Sequence, residues 1–293
     1  MKISVAICTY NGEKYINEQI DSILNQTLKV DEIIVCDDRS TDKTISILNL
    51  YAIQNPNLFK INCNETKLKS VKNFEKAISL CTGDIIFLSD QDDIWTLNKV
   101  EKYIEYFDNN KKIQVVASNG YCIDKNSKVA KKYAIWDVPE FLREQNIEFS
   151  YFELITHIEN IATGASMAFR KEIIMDILPF PEIKNIHHDE WIAILSAKKN
   201  AFELLNEKYF YYRIHENQQV GGVFFNKENK TKERLTNIFN LKQNDFTFIN
   251  YKKRLKKLIS AYNRNKTMLK LDSEYDFFFK ENLVSIEKLI LST

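Results

Sequence analysis

The chain has 293 residues and a net charge of +1, and 44% of its residues are hydrophobic against 28% charged. This composition is typical of a globular protein with one large domain, or with two smaller ones that share a core. No apolar run approaches the roughly 20 residues that cross a bilayer. Polar residues follow the first apolar run, Ile3–Cys8, too early for a signal peptide. We therefore expect a cytoplasmic protein.

The five cysteines are odd in number, lack a C-x-x-C spacing and lie mostly in apolar stretches. Buried free thiols in a reducing compartment are expected, rather than zinc ligands or disulfides.

In the first 120 residues, short apolar runs alternate with helical patterns, which indicates βαβ units. The runs are apolar throughout, as in strands covered on both faces, so they predict a mostly parallel central sheet. The predicted strands are Ile3–Cys8, Glu32–Cys36, Leu58–Cys63, Asp84–Leu88 and Gln114–Ala117. A helical face of Phe74, Ala77, Ile78 and Cys81 precedes the fourth strand.

The second part of the chain is less regular. Residues 124–160 form an insertion without a clear pattern, and Ala165–Phe169 is predicted as a strand. Asp189–Ala197 is predicted as a helix, followed by a strand pair, Phe202–Leu205 and Tyr209–Arg213. The expected fold is α/β, with a domain over 1–222 (halves 1–120 and 121–222) and a basic helical region over 223–293.

Three predicted strands end in polar loops. Ligands of open α/β sheets bind beyond the carboxyl ends of the strands, so these loops predict a binding site at one rim. The loops are Thr9-Tyr10-Asn11-Gly12, Asp37-Asp38-Arg39-Ser40-Thr41-Asp42 and Ser89-Asp90-Gln91-Asp92-Asp93.

The acidic cluster Asp90, Asp92 and Asp93 follows a buried strand. Three like charges repel one another, and a hard divalent cation with oxygen ligands would compensate them. The alternative is a solvated acidic turn that caps the next helix. On the neighbouring loop, a carboxylate such as Asp38 can accept a hydrogen bond from a base N–H or a ribose hydroxyl, with Tyr10 as a wall for the base.

His187-His188-Asp189-Glu190-Trp191 combines imidazoles with carboxylates. No H-x-x-x-H spacing is present, which disfavours zinc. The carboxylates are either helix caps or a base that accepts a proton from a sugar hydroxyl. Further on, His215 is a lone histidine, a type more often structural than ligating, and Arg213 beside it is well shaped for phosphate oxygens.

Six motifs follow one another over residues 1–222: Cys8-Thr9-Tyr10-Asn11-Gly12, Asp37-Asp38-Arg39-Ser40-Thr41-Asp42, Ser89-Asp90-Gln91-Asp92-Asp93-Ile94-Trp95, Thr163-Gly164-Ala165-Ser166, His188-Asp189-Glu190-Trp191 and Tyr212-Arg213-Ile214-His215-Glu216-Asn217. Together and in this order they resemble the inverting family-2 glycosyltransferases with a GT-A fold. The Asp-Gln-Asp-Asp-x-Trp form of the third motif is similar to a bacterial rhamnosyltransferase-like branch that builds surface polysaccharides such as capsule and lipopolysaccharide.

The resemblance implies a divalent cation (Mn²⁺ or Mg²⁺) and a role for each matched position. Asp189 is the implied catalytic base. Donor binding is implied for Thr9, Tyr10, Asn11, Asp38, Asp90, Gln91 and Arg213; metal binding for Asp92, Asp93 and His215; and the acceptor side for Gly164, Glu190 and Trp191.

Two positions depart from the family pattern. Glu190 stands where many similar members have an aromatic residue, so it competes with Asp189 for the role of base. Glu216 replaces a usual glycine and adds a negative charge near a diphosphate.

The expected function is a metal-dependent inverting transfer of a sugar from a nucleoside-diphosphate donor to a hydroxyl. The donor is expected to be UDP- or dTDP-linked, with rhamnose as a candidate, and the acceptor a glycan or a lipid-linked sugar. The alternative is a non-catalytic sugar-nucleotide or glycan-binding scaffold. A nucleotidyltransferase is disfavoured, because Asn11-Gly12-Glu13 replaces the Gly-rich basic loop typical after strand one.

Residues 227–270 contain 13 Lys and Arg against 3 Asp and Glu, so this segment carries +10 and the remainder about −9. Three interpretations stay open: a solvated helical face packed on the catalytic domain, a peripheral contact with the inner face of the cell membrane, or a homodimer contact. Nucleic-acid binding is disfavoured, because the rest of the chain is acidic and carries no recognition motif.

Overall fold

The computed structural model describes residues 1–183, 186–216, 224–226, 232–242, 248–269 and 276–292. Over these residues the strands are β1 (Ile3–Thr9), β2 (Glu32–Asp37), β3 (Phe59–Cys63), β4 (Ile85–Ser89), β5 (Ile94–Trp95), β6 (Val115–Ile123), β7 (Val129–Ala130), β8 (Lys132–Ala134), β9 (Ala168–Arg170), β10 (Phe202–Arg213) and β11 (Phe224–Asn226). The α-helices are α1 (Ile16–Leu24), α2 (Thr44–Gln54), α3 (Lys69–Leu80), α4 (Lys99–Asn109), α5 (Val138–Glu144), α6 (Tyr151–His157), α7 (Ile174–Ile177), α8 (His188–Lys198), α9 (Lys232–Phe239), α10 (Phe248–Met268) and α11 (Asp276–Ser292).

The central sheet has the strand order β3-β2-β1-β4-β9-β6-β10-β5, with β7 paired to β6. The first four strands are parallel, β9 is antiparallel to both of its neighbours, and β10 runs parallel to β6. Every residue of β2 and β4 is buried, as expected for strands covered on both faces. The predicted α/β fold with a mostly parallel sheet and a C-terminal helical region is confirmed.

The strand order decides where the polar loops meet. Because β2, β1 and β4 are parallel neighbours, their carboxyl ends lie side by side at one edge of the sheet. The loops after these three strands therefore adjoin one another, as the sequence predicts.

The predicted strand pair Phe202–Leu205 and Tyr209–Arg213 is wrong, because both segments belong to the single strand β10. β10 pairs in parallel with β6, and its register shifts between Leu205 and Lys208 and again between Lys208 and Tyr211. These irregularities accommodate the polar residues between the two segments without a reversal of the chain.

The prediction of a strand over Ala165–Phe169 is correct only at its end. Gly164–Ser166 forms a 3-10 turn and the strand β9 covers Ala168–Arg170. The predicted boundary at residue 222 lies outside the described residues, as do parts of the basic segment 227–270.

The helices α10 and α11 pack against each other through Leu258, Ala261 and Ile286, and we call this pair the C-terminal hairpin. The hairpin also packs on α6, where His157 Nε2 lies 3.1 Å from Ser285 Oγ. Among the described helices, none has the length and apolar character that a membrane span requires. All five cysteines are free thiols, and Cys63 is exposed rather than buried.

Candidate active site

A cavity of about 680 Å³ opens at the carboxyl ends of β1, β2 and β4. Its lining includes most of the predicted site residues, namely Thr9, Tyr10, Asn11, Asp38, Asp90, Gln91, Asp92, Asp93, Gly164, Asp189, Glu190 and His215. The structure therefore brings the donor, metal and acceptor-side positions around one space.

The loops after β1 and β4 are joined by a two-way amide contact. Gln91 Oε1 accepts from the Tyr10 backbone N–H at 2.8 Å, and Gln91 Nε2 donates to the Tyr10 carbonyl at 3.0 Å. A Cβ at Gly12 would lie 2.4 Å from Gln91 Oε1, so a glycine is needed for this close approach. Gln91 thus fixes the relative positions of two loops, besides lining the cavity.

The loops after β1 and β2 are joined in a similar way. Asn11 Oδ1 accepts from the Thr41 N–H at 2.8 Å, and the Asn11 N–H donates to Ser40 Oγ at 2.8 Å. Thr9 Oγ1 donates to Asp37 Oδ2 at 2.7 Å. Thr9 and Asn11 therefore build the rim of the cavity as well as facing it.

Asp38 is only 4% exposed, and its carboxylate is held by three donors. Oδ1 accepts from Asn64 Nδ2 (3.1 Å) and the Leu68 N–H (2.6 Å), and Oδ2 accepts from the Lys69 N–H (2.8 Å). A carboxylate has about four acceptor sites, so one is left for a ligand donor such as a base N–H. Next to it, the Lys67 ammonium lies 3.6 Å from the Tyr10 ring centroid and covers one face of that ring.

In the acidic cluster, Asp93 is buried and Asp90 and Asp92 are half-buried. Burial, followed by the charges of Asp92 and Asp189, raises the pKa of Asp90 to about 7. Burial also raises the pKa of Asp93 well above its ordinary value. Asp93 Oδ1 accepts from the Arg213 N–H at 3.0 Å, whereas its buried Oδ2 has no donor among the described groups. A cation or a ligand donor would satisfy this oxygen.

The residues present fit a divalent cation that is bound together with a diphosphate. Within the described ranges, no group of three or more His, Cys, Asp or Glu side chains is placed so that it could hold a metal ion by itself. Asp92 Oδ2 and His215 Nε2 lie 2.8 Å apart, and Asp93, the next residue along the chain, has an unsatisfied Oδ2. Mg²⁺ commonly takes one or two carboxylates and completes its shell with phosphate oxygens and water, so an incomplete protein ligand set is suitable.

A buried lysine that belongs to none of the six motifs lies behind the cluster. Lys99 is fully buried; its ammonium donates to the Ala165 carbonyl at 2.8 Å and lies 4.0 Å from the Trp95 ring centroid. Burial lowers the pKa of Lys99 well below its ordinary value, against the opposing charges of Asp93 and Asp90. Its position one turn before Tyr103, on the apolar face of α4, was the sequence signal for its burial.

Asp189 also lines the cavity; it lies in the first turn of α8 and is half-buried. Its Oδ2 accepts from the Gly164 N–H at 3.1 Å, and its Oδ1 accepts from the Glu190 N–H at 2.7 Å. Both contacts orient the carboxylate and leave acceptor capacity on each oxygen for a hydroxyl. Glu190, by contrast, is 5% exposed and lies 3.2 Å from Arg264 Nη1, and burial raises its pKa to about 7.

Gly164 lies against a fixed imidazole. The His188 ring stacks on Phe74 with centroids 4.0 Å apart, and burial lowers the pKa of His188 to about 4. A Cβ at Gly164 would lie 2.8 Å from His188 Nε2.

We expect Gly164→Ala to destabilise the protein by about 1–3 kcal/mol, because the stacked imidazole cannot yield without disturbing Phe74. Urea unfolding would measure this loss. Ser79→Ala, at an exposed position of α3, serves as a control. Equal midpoints for Gly164→Ala and wild type would contradict the expected clash.

The structure does not bring Arg213 and Trp191 into the cavity lining. The Arg213 side chain is fully buried behind the acidic cluster, where Nε donates to the Asp92 carbonyl at 2.7 Å and Nη2 pairs with Glu18 Oε2 at 3.1 Å. The Trp191 indole donates to the Ile177 carbonyl at 3.2 Å. Their proposed donor and acceptor contacts remain predictions, and the described contacts of both are structural.

Further residues line the cavity to which the resemblance assigns no role. Among them, the Tyr15 ring lies 5.0 Å from the His215 ring and 4.4 Å from the Arg213 guanidinium. The others are Cys8, Lys14, Lys69, Ser70, Asn73, Phe74, Lys125, Ile135, Glu159, Asn160, Ala162, Thr163, His187, His188, Tyr212 and Glu216.

The mixed sheet flanked by helices, with a cavity at the carboxyl ends of its parallel strands, is the GT-A fold of glycosyltransferases. The model of the family named Glycosyl transferase family 2 matches residues 4–178, and the chain belongs to this family. It is a sugar-transferring enzyme.

Two curated relatives match over most of both chains. An uncharacterised glycosyltransferase of Methanocaldococcus jannaschii is 31% identical over 216 residues, which cover 72% of this chain and 70% of the relative. The dTDP-rhamnosyl transferase RfbG of Shigella flexneri is 28% identical over 228 residues, which cover 74% of each.

Solved structures share the fold at low identity. S. aureus TarS 1-349 in complex with UDP-GlcNAc aligns with a TM-score of 0.60 and 20% identity, over 99% of this chain and 82% of that one. The mannosyltransferase PcManGT from Pyrobaculum calidifontis, in complex with GDP-Man and Mn²⁺, aligns with a TM-score of 0.56 and 14% identity, over 99% and 87%.

Proposed function

We propose that this glycosyltransferase is metal-dependent and inverting, and that it moves a sugar from a nucleoside diphosphate to an acceptor hydroxyl. The observation that carries the proposal is that Asp189 faces the same cavity as the cluster Asp90, Asp92 and Asp93. A binding scaffold would need the residues that hold the donor, but not a further carboxylate, that of Asp189, oriented by two backbone N–H groups.

In the proposed reaction, Asp189 accepts the proton of the acceptor hydroxyl while that oxygen attacks the anomeric carbon. The bond between the anomeric carbon and the diphosphate oxygen breaks on the opposite face, so the configuration inverts. Asp92, Asp93 and His215 would hold a divalent cation, Mn²⁺ or Mg²⁺, which when bound neutralises charge on the leaving diphosphate. Backbone N–H groups keep the Asp189 carboxylate aimed throughout.

The proposed donor is UDP- or dTDP-linked, and dTDP-rhamnose is the first candidate. Support for a nucleoside comes from the remaining acceptor site of Asp38 and from the Tyr10 ring beside it. The S. flexneri relative, named as a dTDP-rhamnosyl transferase, supports rhamnose. The proposed acceptor is a glycan or a lipid-linked sugar of surface polysaccharide synthesis, such as capsule or lipopolysaccharide.

A panel of sugar nucleotides, each with and without Mn²⁺, tests this function by release of the nucleoside diphosphate. We expect release from one donor, dependent on the metal, and its loss in Asp189→Asn. If a nucleoside diphosphate binds by calorimetry but no donor is turned over with any acceptor extract, the scaffold alternative is favoured.

We also propose that the C-terminal hairpin contacts the membrane from the cytoplasmic side. On α10, Lys256, Ile259 and Lys266 lie at helical spacing on one exposed face. On α11, Phe277, Val284 and Leu291 repeat every seven residues and are 65%, 51% and 87% exposed. Exposed apolar side chains beside lysines suit an anionic lipid surface.

We expect the protein to co-sediment with vesicles that contain anionic lipid. The double variant Lys256→Glu/Lys266→Glu should weaken this binding by about tenfold or more, because each lysine near an anionic surface contributes about 1 kcal/mol of attraction. Lys111→Glu/Lys112→Glu, exposed residues after α4, are the matched control. Equal binding of both double variants would contradict the contact, and a dimer in light scattering that dissociates in Val284→Asp would favour the homodimer instead.

A further inference from the structure

Arg264 of the C-terminal hairpin contacts Glu190, a residue that lines the cavity. Its Nη1 lies 3.2 Å from Glu190 Oε1, and its Nη2 donates to the carbonyls of Ile155 (2.6 Å) and Thr156 (3.2 Å). The Arg264 side chain is 20% exposed and that of Glu190 is 7% exposed. One guanidinium thus joins α10 to both α6 and α8.

These contacts of Arg264 hold the two chain segments that orient the Asp189 carboxylate. Ile155 and Thr156 form the end of α6, and the chain continues from there to Gly164, whose N–H donates to Asp189 Oδ2. Glu190 follows Asp189 in the first turn of α8. A shift of either end would move a hydrogen bond that orients the Asp189 carboxylate.

Two neighbours of Arg264 on α10 hold the same segment. Asn265 Nδ2 donates to the Thr156 carbonyl at 2.9 Å, and Lys257 Nζ donates to Glu159 Oε2 at 2.5 Å. Glu159 lines the cavity. Three side chains of one helix therefore fix the chain between α6 and Gly164.

The charge of Arg264 has a defined partner. A carboxylate buried without a cation is costly, and breaking a buried pair on one side leaves that cost unopposed. Burial raises the pKa of Glu190 to about 7, the Arg264 charge opposes this rise, and the charges of Asp189 and Glu159 add to it.

We propose that Arg264 is a positioning residue for the transfer reaction, acting through Glu190 and the end of α6 to fix the carboxylate of Asp189. This role rests on the proposed function of Asp189 as base. It makes the basic C-terminal region part of the active site's construction, not only a docking surface.

The test compares Arg264→Gln, Arg264→Lys, Glu190→Gln and the double variant Glu190→Gln/Arg264→Gln. Arg254→Gln is the matched control, because Arg254 is also buried on α10 but donates to the carbonyls of Asn240 and Leu241, both at 2.7 Å. The first readout is amide hydrogen exchange of residues 157–167. The second is kcat and KM for nucleoside diphosphate release from whichever donor the panel identifies.

In Arg264→Gln we expect faster exchange of residues 157–167 and a kcat about 10- to 100-fold lower, as for a misplaced catalytic group. Donor KM should stay within about twofold, because the donor side is built on other strands. Arg264→Lys should recover part of kcat. Because Arg264 acts partly through Glu190, the double variant should lose less than the summed effects of its two single changes.

The positioning role is overturned if Arg264→Gln leaves exchange and kcat as in wild type, or if Arg254→Gln changes both equally. If the wild type turns over no sugar nucleotide, the proposed function fails. The comparison of hydrogen exchange between Arg264→Gln and Arg254→Gln still decides whether Arg264 fixes residues 157–167.

Discussion

Asp189→Asn is expected to lower the rate of sugar transfer by about 10²- to 10⁴-fold, the usual contribution of a general base. The amide keeps the shape of the carboxylate but cannot accept the proton of the acceptor hydroxyl. Donor binding should be nearly unchanged, because Asp38 and the acidic cluster follow β2 and β4, whereas Asp189 lies on α8. The measurements are single-turnover transfer and calorimetric binding of the nucleoside diphosphate.

Asp176→Asn is the matched control, since Asp176 pairs with Lys199 at 2.6 Å and does not line the cavity. Near wild-type transfer by Asp189→Asn would exclude Asp189 as the base and direct the same test to Glu190. The structure disfavours Glu190 in that role, because the residue is 5% exposed and its Oε1 lies 3.2 Å from Arg264 Nη1.

Lys99→Met is expected to destabilise the protein by about 2–4 kcal/mol and to abolish donor turnover. Methionine retains the aliphatic stem but loses the donor to the Ala165 carbonyl and the amine that faces Asp90 and Asp93. Removing one member of a buried polar arrangement leaves the others unsatisfied. Urea unfolding and nucleoside diphosphate release measure the two effects.

Lys102→Met, one turn later on α4, is the control for this change. Lys102 is partly exposed and pairs with Glu105 on the surface, at 2.8 Å, so its loss should cost little. If Lys99→Met unfolds at the same urea concentration as Lys102→Met, Lys99 does not compensate the acidic cluster.

That the three polar loops meet at one edge of the sheet was predictable, because it depends on patterns within short stretches of the sequence. Each polar loop directly follows an apolar run, and parallel neighbours bring such loops to one edge. The joint role of Gln91 and Tyr10 was not visible, since a hydrogen bond across 81 residues depends on how two strands align.

Arg213 shows why it was harder to predict which residues of β10 face the cavity. Successive strand residues point to opposite faces, so Tyr212 lines the cavity while Arg213 is buried behind it. Which of the two faces the cavity depends on the register shifts of β10 near Lys208, and nothing in the local pattern marks them. Arg264 was hidden for a different reason: the many lysines of α10 made the whole helix resemble a solvated basic surface.

The strand β10 connects the end of the catalytic region with the acidic loop after β4, which has a consequence for folding. It pairs with β5 through Phe210 and Trp95, and His215 contacts Asp92 across 123 residues. Such distant contacts form late, because a long loop must close before they contribute any stability. During synthesis we expect the first four strands to pair before β10 leaves the ribosome, and the acidic cluster to gain its contacts with β10 only afterwards. The newly made chain should therefore acquire its sheet before it can hold a donor.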